Sequence, residues 1–160
     1  MSRIEQQQSA TNTGAATTVA PSFTKEQARA IVAPLYEALN EPTKKDVKGL
    51  LAQTTNPDYR SCSTLTDCLD RDALAEVFKA VGKMVPNLKW TIQDVWVTED
   101  RIVVLGEASG TPAETFFGVE PTGRSFKTIS LDIFTVKNGK LSSAYHVENW
   151  VGAIAQVKGK

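Results

Sequence analysis

SFKTISLDIFTVKNGKLSSAYHVENW, residues Ser125 to Trp150, decides how the rest of the chain is read. Two runs of alternating residues flank Asn138-Gly139, a strong signal for a tight hairpin turn. The stretch holds the chain's single histidine, His146, and an aspartate, Asp132, set between Leu131 and Ile133. A carboxylate is costly to bury without a partner, and His146 is the candidate partner. Whether the two meet depends on the turn, because side chains alternate across a strand. A two-residue turn pairs Lys137 with Lys140, sets Asp132 opposite Tyr145 and sends His146 to the other face. A turn with Gly139 left-handed in a bulge pairs Val136 with Lys140 instead, making Asp132 and His146 diagonal neighbours. Such neighbours lie roughly 7–8 Å apart at Cα, within side-chain reach. Segregation favours the bulged turn. It collects Thr128, Ser130, Asp132, Ser142, Ala144, His146 and Glu148 on one face and Ile129, Leu131, Ile133, Tyr145 and Val147 on the other.

Working outward, the preceding segments supply strands and then helices. Leu88–Val97 and Arg101–Ala108 carry β-branched and aromatic residues with rough alternation, joined by a tight connection at Thr98-Glu99-Asp100. With the hairpin, their apolar residues Trp90, Ile92, Trp96, Val103, Leu105, Ile129, Leu131, Ile133 and Phe134 should supply most of the sheet's apolar surface. Asp70 or Asp72 caps a helix running to about Met84, with Leu74, Val77, Phe78 and Val81 on one face. Residues 54–69 read as turn-rich and partly extended. Thr24-Lys25-Glu26-Gln27 fits a capping box ahead of a helix that Pro34 kinks or splits. A shorter helix buries Val47, Leu50 and Leu51, and Asn149 caps a last one reaching about Val157. Helices first and an antiparallel sheet afterwards mark an α+β domain.

At 160 residues the chain is one domain by length. Residues 1–22 are polar and poor in large apolar side chains, and read as a disordered tail before a domain spanning 23–160. The 18 basic and 18 acidic residues cancel, leaving no footprint for nucleic acid. No apolar run approaches the ~18 residues a membrane span requires. Cys62 and Cys68 with one distant histidine make a poor metal set, and no glycine-rich phosphate loop is present, so neither metal nor cofactor is expected. The cysteines read as reduced thiols of a cytoplasmic protein; a disulfide between them implies a periplasmic or secreted one.

The run from Gly118 to Trp150 resembles the SnoaL-like polyketide ester cyclases of the nuclear transport factor two-like superfamily. The carrying motifs are Gly-x-x-Pro-Thr-Gly-Arg at Gly118–Arg124, Asp-Ile-Phe at Asp132–Phe134 and Asn-Gly-Lys at Asn138–Lys140. The resemblance implies a cone: a curved, mainly antiparallel or mixed sheet wrapped around the N-terminal helices, with a pocket at its open end. It also implies dimerisation through the sheet's outer face. Family cyclases use an aspartate on the last strand as general acid/base, assisted by a histidine on the preceding strand. Here His146 stands at the first position and Asp132 at the second, in exchanged order.

Imidazole exchanges protons near neutral pH, and a neighbouring aspartate fixes its tautomer. His146 and Asp132 are therefore the candidate catalytic residues. Tyr36, Tyr59, Phe78, Met84, Trp90, Phe116, Phe117, Phe134 and Trp150 are the candidate walls for a small hydrophobic or amphipathic molecule. Glu148 is read as a rim residue. Two function classes follow. The first is a cofactor-independent enzyme acting beside a carbonyl, by aldol cyclisation, isomerisation or dehydration. The second is a non-catalytic ligand-binding or dimerisation module with the same cone. Hydrolysis of an ester or epoxide through a bound water would use the same dyad.

Overall fold

The computed structural model describes residues 22–160, so the polar tail expected over 1–22 lies, but for Ser22, outside the described residues. The elements are α1 (Lys25–Ala38), a 3-10 turn (Pro42–Lys44), α2 (Val47–Thr54), β1 (Thr55–Cys62), β2 (Cys68–Asp70), α3 (Arg71–Met84), β3 (Lys89–Val97), β4 (Arg101–Gly110), β5 (Phe126–Lys137), β6 (Lys140–Glu148) and α4 (Trp150–Lys158). The helix starts follow their caps. Thr24 and Gln27 form the expected capping box, while Asp70 and Asn149 accept from the Ala73 and Gly152 N–H groups at 2.8 and 3.0 Å. Pro34 lies inside α1, which continues past it to Ala38 as one helix.

Among the described residues six strands form one mixed sheet in the order β2-β1-β6-β5-β4-β3. Within it β1 and β6 pair in parallel, and the other four pairings are antiparallel. The helices cover one face, giving the expected α+β architecture. Most of the segment 54–69 is strand rather than turn: β1 occupies the sheet interior between β2 and β6. Its Asn-Pro-Asp start hides a run whose inward residues, Tyr59 and Ser61, are buried.

The hairpin turn differs from the expected one. Lys137 pairs with Lys140 across a two-residue turn, with Asn138 at φ 54° and Gly139 at φ 74°. Positive φ at both central residues matches the twist of the flanking strands. The extra residue enters one step later. Val136 pairs with Leu141 and Thr135 with Ser143, which leaves Ser142 as a bulge on β6. Asp132 therefore sits directly opposite His146. The shared face is as expected; the device and the exact pairing are corrected.

The sheet's two faces are less simply divided than apolar content suggests. Ile102, Val104, Ala108, Phe126 and Phe134 face the helices and are buried, together with Thr128, Ser130 and Asp132. Trp96, Ile129, Leu131, Ile133, Tyr145 and Val147 point outward and are exposed. The polar inward residues are each bonded. Thr128 donates to the Asn149 carbonyl at 2.7 Å, and Ser130 accepts from Trp90 Nε1 at 2.9 Å. Gly106 makes room for that second bond, since a Cβ there would stand 2.4 Å from Ser130 Oγ and 3.0 Å from Trp90 Nε1.

The expectation of reduced thiols is also corrected. Cys62 and Cys68 are bonded, with S–S 2.08 Å. They are direct antiparallel partners of β1 and β2, a proximity that a spacing of six residues cannot reveal without knowing that both segments are strands.

Candidate active site

A cavity lies between the inner face of the sheet and helices α1 and α3. Its closed end, about 60 Å³, is lined by Tyr59, Ser61, Phe78, Trp90, Asp132, Phe134, His146 and Glu148, among others. It opens into a wider mouth of about 360 Å³, walled by Val77, Val81 and Met84 of α3 together with Phe117 and Trp150. Seven residues, including His146 and Glu148, border both parts. Among the described residues no lysine or arginine lines either one.

Asp132 reaches the closed end because β5 alternates, and its neighbours Ser130 and Phe134 share its inward face. Its Oδ2 accepts a 2.7 Å hydrogen bond from the Tyr36 hydroxyl in a buried setting. Burial is the main influence on its carboxyl and raises it to about 6; the Tyr36 bond and the charge of His146 pull downward, and Glu148 pushes up. The result is a carboxyl that ionises close to neutral pH, in the range useful to a general base.

His146 has a different close partner. Its Nδ1 stands 2.9 Å from Glu148 Oε1, two residues along β6 and on the same face. That bond is the chief cause of a raised imidazole, opposed by burial and assisted by the charges of Glu148 and Asp132. The expectation that Asp132 itself orients the imidazole is thus corrected: Glu148 does so, while Asp132 is held by Tyr36. Glu148 is no rim residue either, with a side chain only 13 % exposed. The signal that could have found it is its position, since residues two apart on a strand point the same way.

The expected wall residues separate into three groups. Tyr59, Phe78, Trp90 and Phe134 border the closed end, and Met84, Phe117 and Trp150 border the mouth. Tyr36 and Phe116 line neither. Tyr36 stands behind Asp132, and Phe116 packs in the core, stacked on Phe126 at 5.3 Å and set edge-on to Trp150 at 5.8 Å. Phe116 therefore backs the mouth instead of forming it. Among the described residues no group of three or more His, Cys, Asp and Glu is arranged to hold a metal.

The model of the SnoaL-like polyketide cyclases fits residues 30–157. The chain belongs to this family. Solved structures agree on the fold. A candidate SnoaL-like polyketide cyclase from Jannaschia sp. CCS1 superposes with TM-score 0.74 at 17 % identity, covering 89 % of this chain and 99 % of that one. IdmH, a candidate polyketide cyclase from Streptomyces antibioticus, gives 0.71 at 28 % identity over 82 % of this chain and 99 % of its own. A protein with a ketosteroid isomerase-like fold from Catenulispora acidiphila DSM 44928 gives 0.64 at 14 % identity, covering 80 % of this chain and 92 % of that one. Among curated proteins no match is found. The SnoaL-like family accounts for the cone and for a small-molecule cyclase or isomerase type of activity. No helix of the described residues is long and apolar enough to cross a membrane.

Proposed function

We propose that this SnoaL-like protein catalyses proton transfer beside the carbonyl of a mostly apolar small molecule, with Asp132 as base and His146 as acid. The observation that carries this reading is the Asp132 carboxyl, buried at the closed end of an apolar cavity and raised to about 6. At neutral pH it is largely ionised and can accept a proton, whereas the raised His146 favours imidazolium and can donate one. Environments that separate the protonation states of adjacent groups mark such acid–base pairs. The C–H bond breaks, its proton passes to Asp132, and the electron pair moves onto the carbonyl oxygen as an enolate. Reprotonation, attack on a second carbonyl or loss of a β-hydroxyl then gives isomerisation, aldol cyclisation or dehydration. The chain's own groups supply both proton positions, so this reaction draws on no cofactor. The likeness to IdmH, at 28 % identity, supports cyclisation within that set.

The test uses 2-tetralone, an apolar ring ketone sized for the mouth, dissolved in D₂O with proton loss at the α-carbon followed by NMR. The wild type is expected to accelerate exchange over buffer, and Asp132→Asn to lose about 10²-fold or more of that rate. Equal exchange by the wild type and Asp132→Asn, or no acceleration by the wild type, would overturn the catalytic reading and leave the ligand-binding module.

The exposed apolar outer face supports a homodimer. Ile129, Leu131, Ile133, Tyr145 and Val147 form a patch of the kind monomers seldom leave in water. The Cys62–Cys68 bond supports residence in an oxidising compartment, periplasmic or extracellular.

A further inference from the structure

Resting on the reading of Asp132 as base, a second question is what fixes that carboxylate inside an apolar cavity. Tyr36 is the side chain that bonds it, at 2.7 Å to Oδ2, and Tyr36 itself has little freedom to move. The residue is 3 % exposed, and its ring packs edge-on against that of Phe134 at 6.4 Å, which lies on the same inward face of β5 as Asp132. Its carbonyl accepts from Asn40 Nδ2 at 3.1 Å, and Asn40 Oδ1 in turn accepts the Trp90 N–H at 2.7 Å. The C-terminal turn of α1 is thereby tied to β3, and the phenol arrives at Asp132 from a braced position. Rotamers locked by packing and by supporting hydrogen bonds are what hold a reacting group in place.

We propose that Tyr36 is a positioning residue for Asp132: its hydroxyl clamps Oδ2, so that Oδ1 is the oxygen presented to the cavity and the atom that takes the substrate proton. The clamp works as a donor over the whole useful pH range, because burial, followed by the charge of Asp132 and the bond to it, holds the phenol well above its usual range. It also favours the ionised form of the carboxyl and so opposes the larger effect of burial. The other titratable groups facing Asp132 are Tyr59 from β1 and His146 and Glu148 from β6. Tyr59 borders the same closed end and makes no hydrogen bond to Asp132 that lowers its carboxyl. It is therefore an internal comparison: a phenol of the same size facing the same carboxyl without the clamp.

The experiment follows the Asp132 carboxyl carbon by NMR in protein labelled at aspartate, the signal being assigned by its loss in Asp132→Asn. Tyr36→Phe is expected to move the titration midpoint about one pH unit higher, since a hydrogen bond to a charged group is lost. Tyr59→Phe should move it far less. Placing 3-fluorotyrosine at position 36 keeps the side chain's shape and bond while making a stronger donor, so the midpoint should fall. That variant keeps the proposal testable should Tyr36→Phe fold poorly. The acid limb of 2-tetralone exchange should follow the midpoint in Tyr36→Phe. A midpoint unmoved by Tyr36→Phe or by the fluorinated residue, or moved as far by Tyr59→Phe, would overturn the assignment. If the midpoint moves as expected while no exchange occurs, the catalytic reading falls and Tyr36 still holds Asp132.

Discussion

Replacing Asp132 by asparagine should make this protein more stable while removing the proposed base. The carboxyl is carried from 3.8 to about 6 by the folded structure, chiefly through desolvation. Each unit of such a change corresponds to about 1.4 kcal/mol, so the ionised aspartate costs the fold up to about 3 kcal/mol. The sign follows from proton binding. Between pH 4 and 6 the unfolded chain holds fewer protons at this position than the folded one, so stability falls as pH rises through that window. Above it the full cost is present; below it both states are protonated and the cost vanishes. Asparagine is nearly isosteric, carries no charge, and its carbonyl oxygen still accepts from Tyr36. The expected outcome is a gain of about 1–3 kcal/mol at pH 8.5, measured as a higher urea midpoint at unchanged m, and a gain near zero at pH 3.5. His146 loses one favourable neighbour in the variant, which takes back part of the gain while the imidazolium is charged; hence the alkaline reading. A loss of stability at pH 8.5, or the same difference at both pH values, would refute the account of Asp132 as a desolvated carboxylate.

Three further variants test other features of the fold. Glu148→Gln removes the main support of the raised imidazole, so the single histidine signal in the proton NMR spectrum should titrate at lower pH than in the wild type; an unchanged midpoint would detach Glu148 from His146. The stability that the raised His146 contributes is present below its unfolded range and fades as pH rises through its folded one, so the same variant should lose stability on the acid side. Ile133→Glu places a charge in the middle of the exposed outer face, next to Leu131 and Tyr145, and should turn a dimer into a monomer in sedimentation equilibrium; a wild-type monomer would dismiss the dimer. Cys62→Ser with Cys68→Ser should lower stability by about 2 kcal/mol, the loop-closure value for so short a loop. The purified wild type should release thiols only after reduction, and free thiols in protein recovered from its native compartment would argue against an oxidising location.

The architecture was legible because its signals are local. Thr24, Asp70 and Asn149 announce their helices through side chains that bond N–H groups three residues away, and Asn138-Gly139 announces a turn through backbone geometry. What was not legible depends on contacts distant in sequence. Ser142 as the bulged residue of β6 is invisible in a run of small polar residues, any of which could be skipped. β1 was hidden for a related reason: its place between β2 and β6 comes from a parallel pairing with a strand more than eighty residues later.

The division of partners at the site shows the same distinction at the level of chemistry. Asp132 and His146 were legible as neighbours, since both inward alternation and register can be reasoned from the hairpin, and side chains directly opposite in an antiparallel pair stand about 4.5–5.5 Å apart at Cβ. Adjacency does not decide bonding. The aspartate side chain is short and points from the middle of β5 into the helix layer, where Tyr36, 96 residues earlier in the chain, meets it. Glu148 is one methylene longer and sits at the end of β6, free to turn back along its own strand to Nδ1 of His146. Each member of the pair thus acquires its own attendant, one raised by burial and the other by a carboxylate. At neutral pH the two can hold opposite protonation states, and the charge of each favours that of the other. The proposed base and acid roles therefore both remain available, with Asp132 at the closed end and His146 bordering the mouth as well.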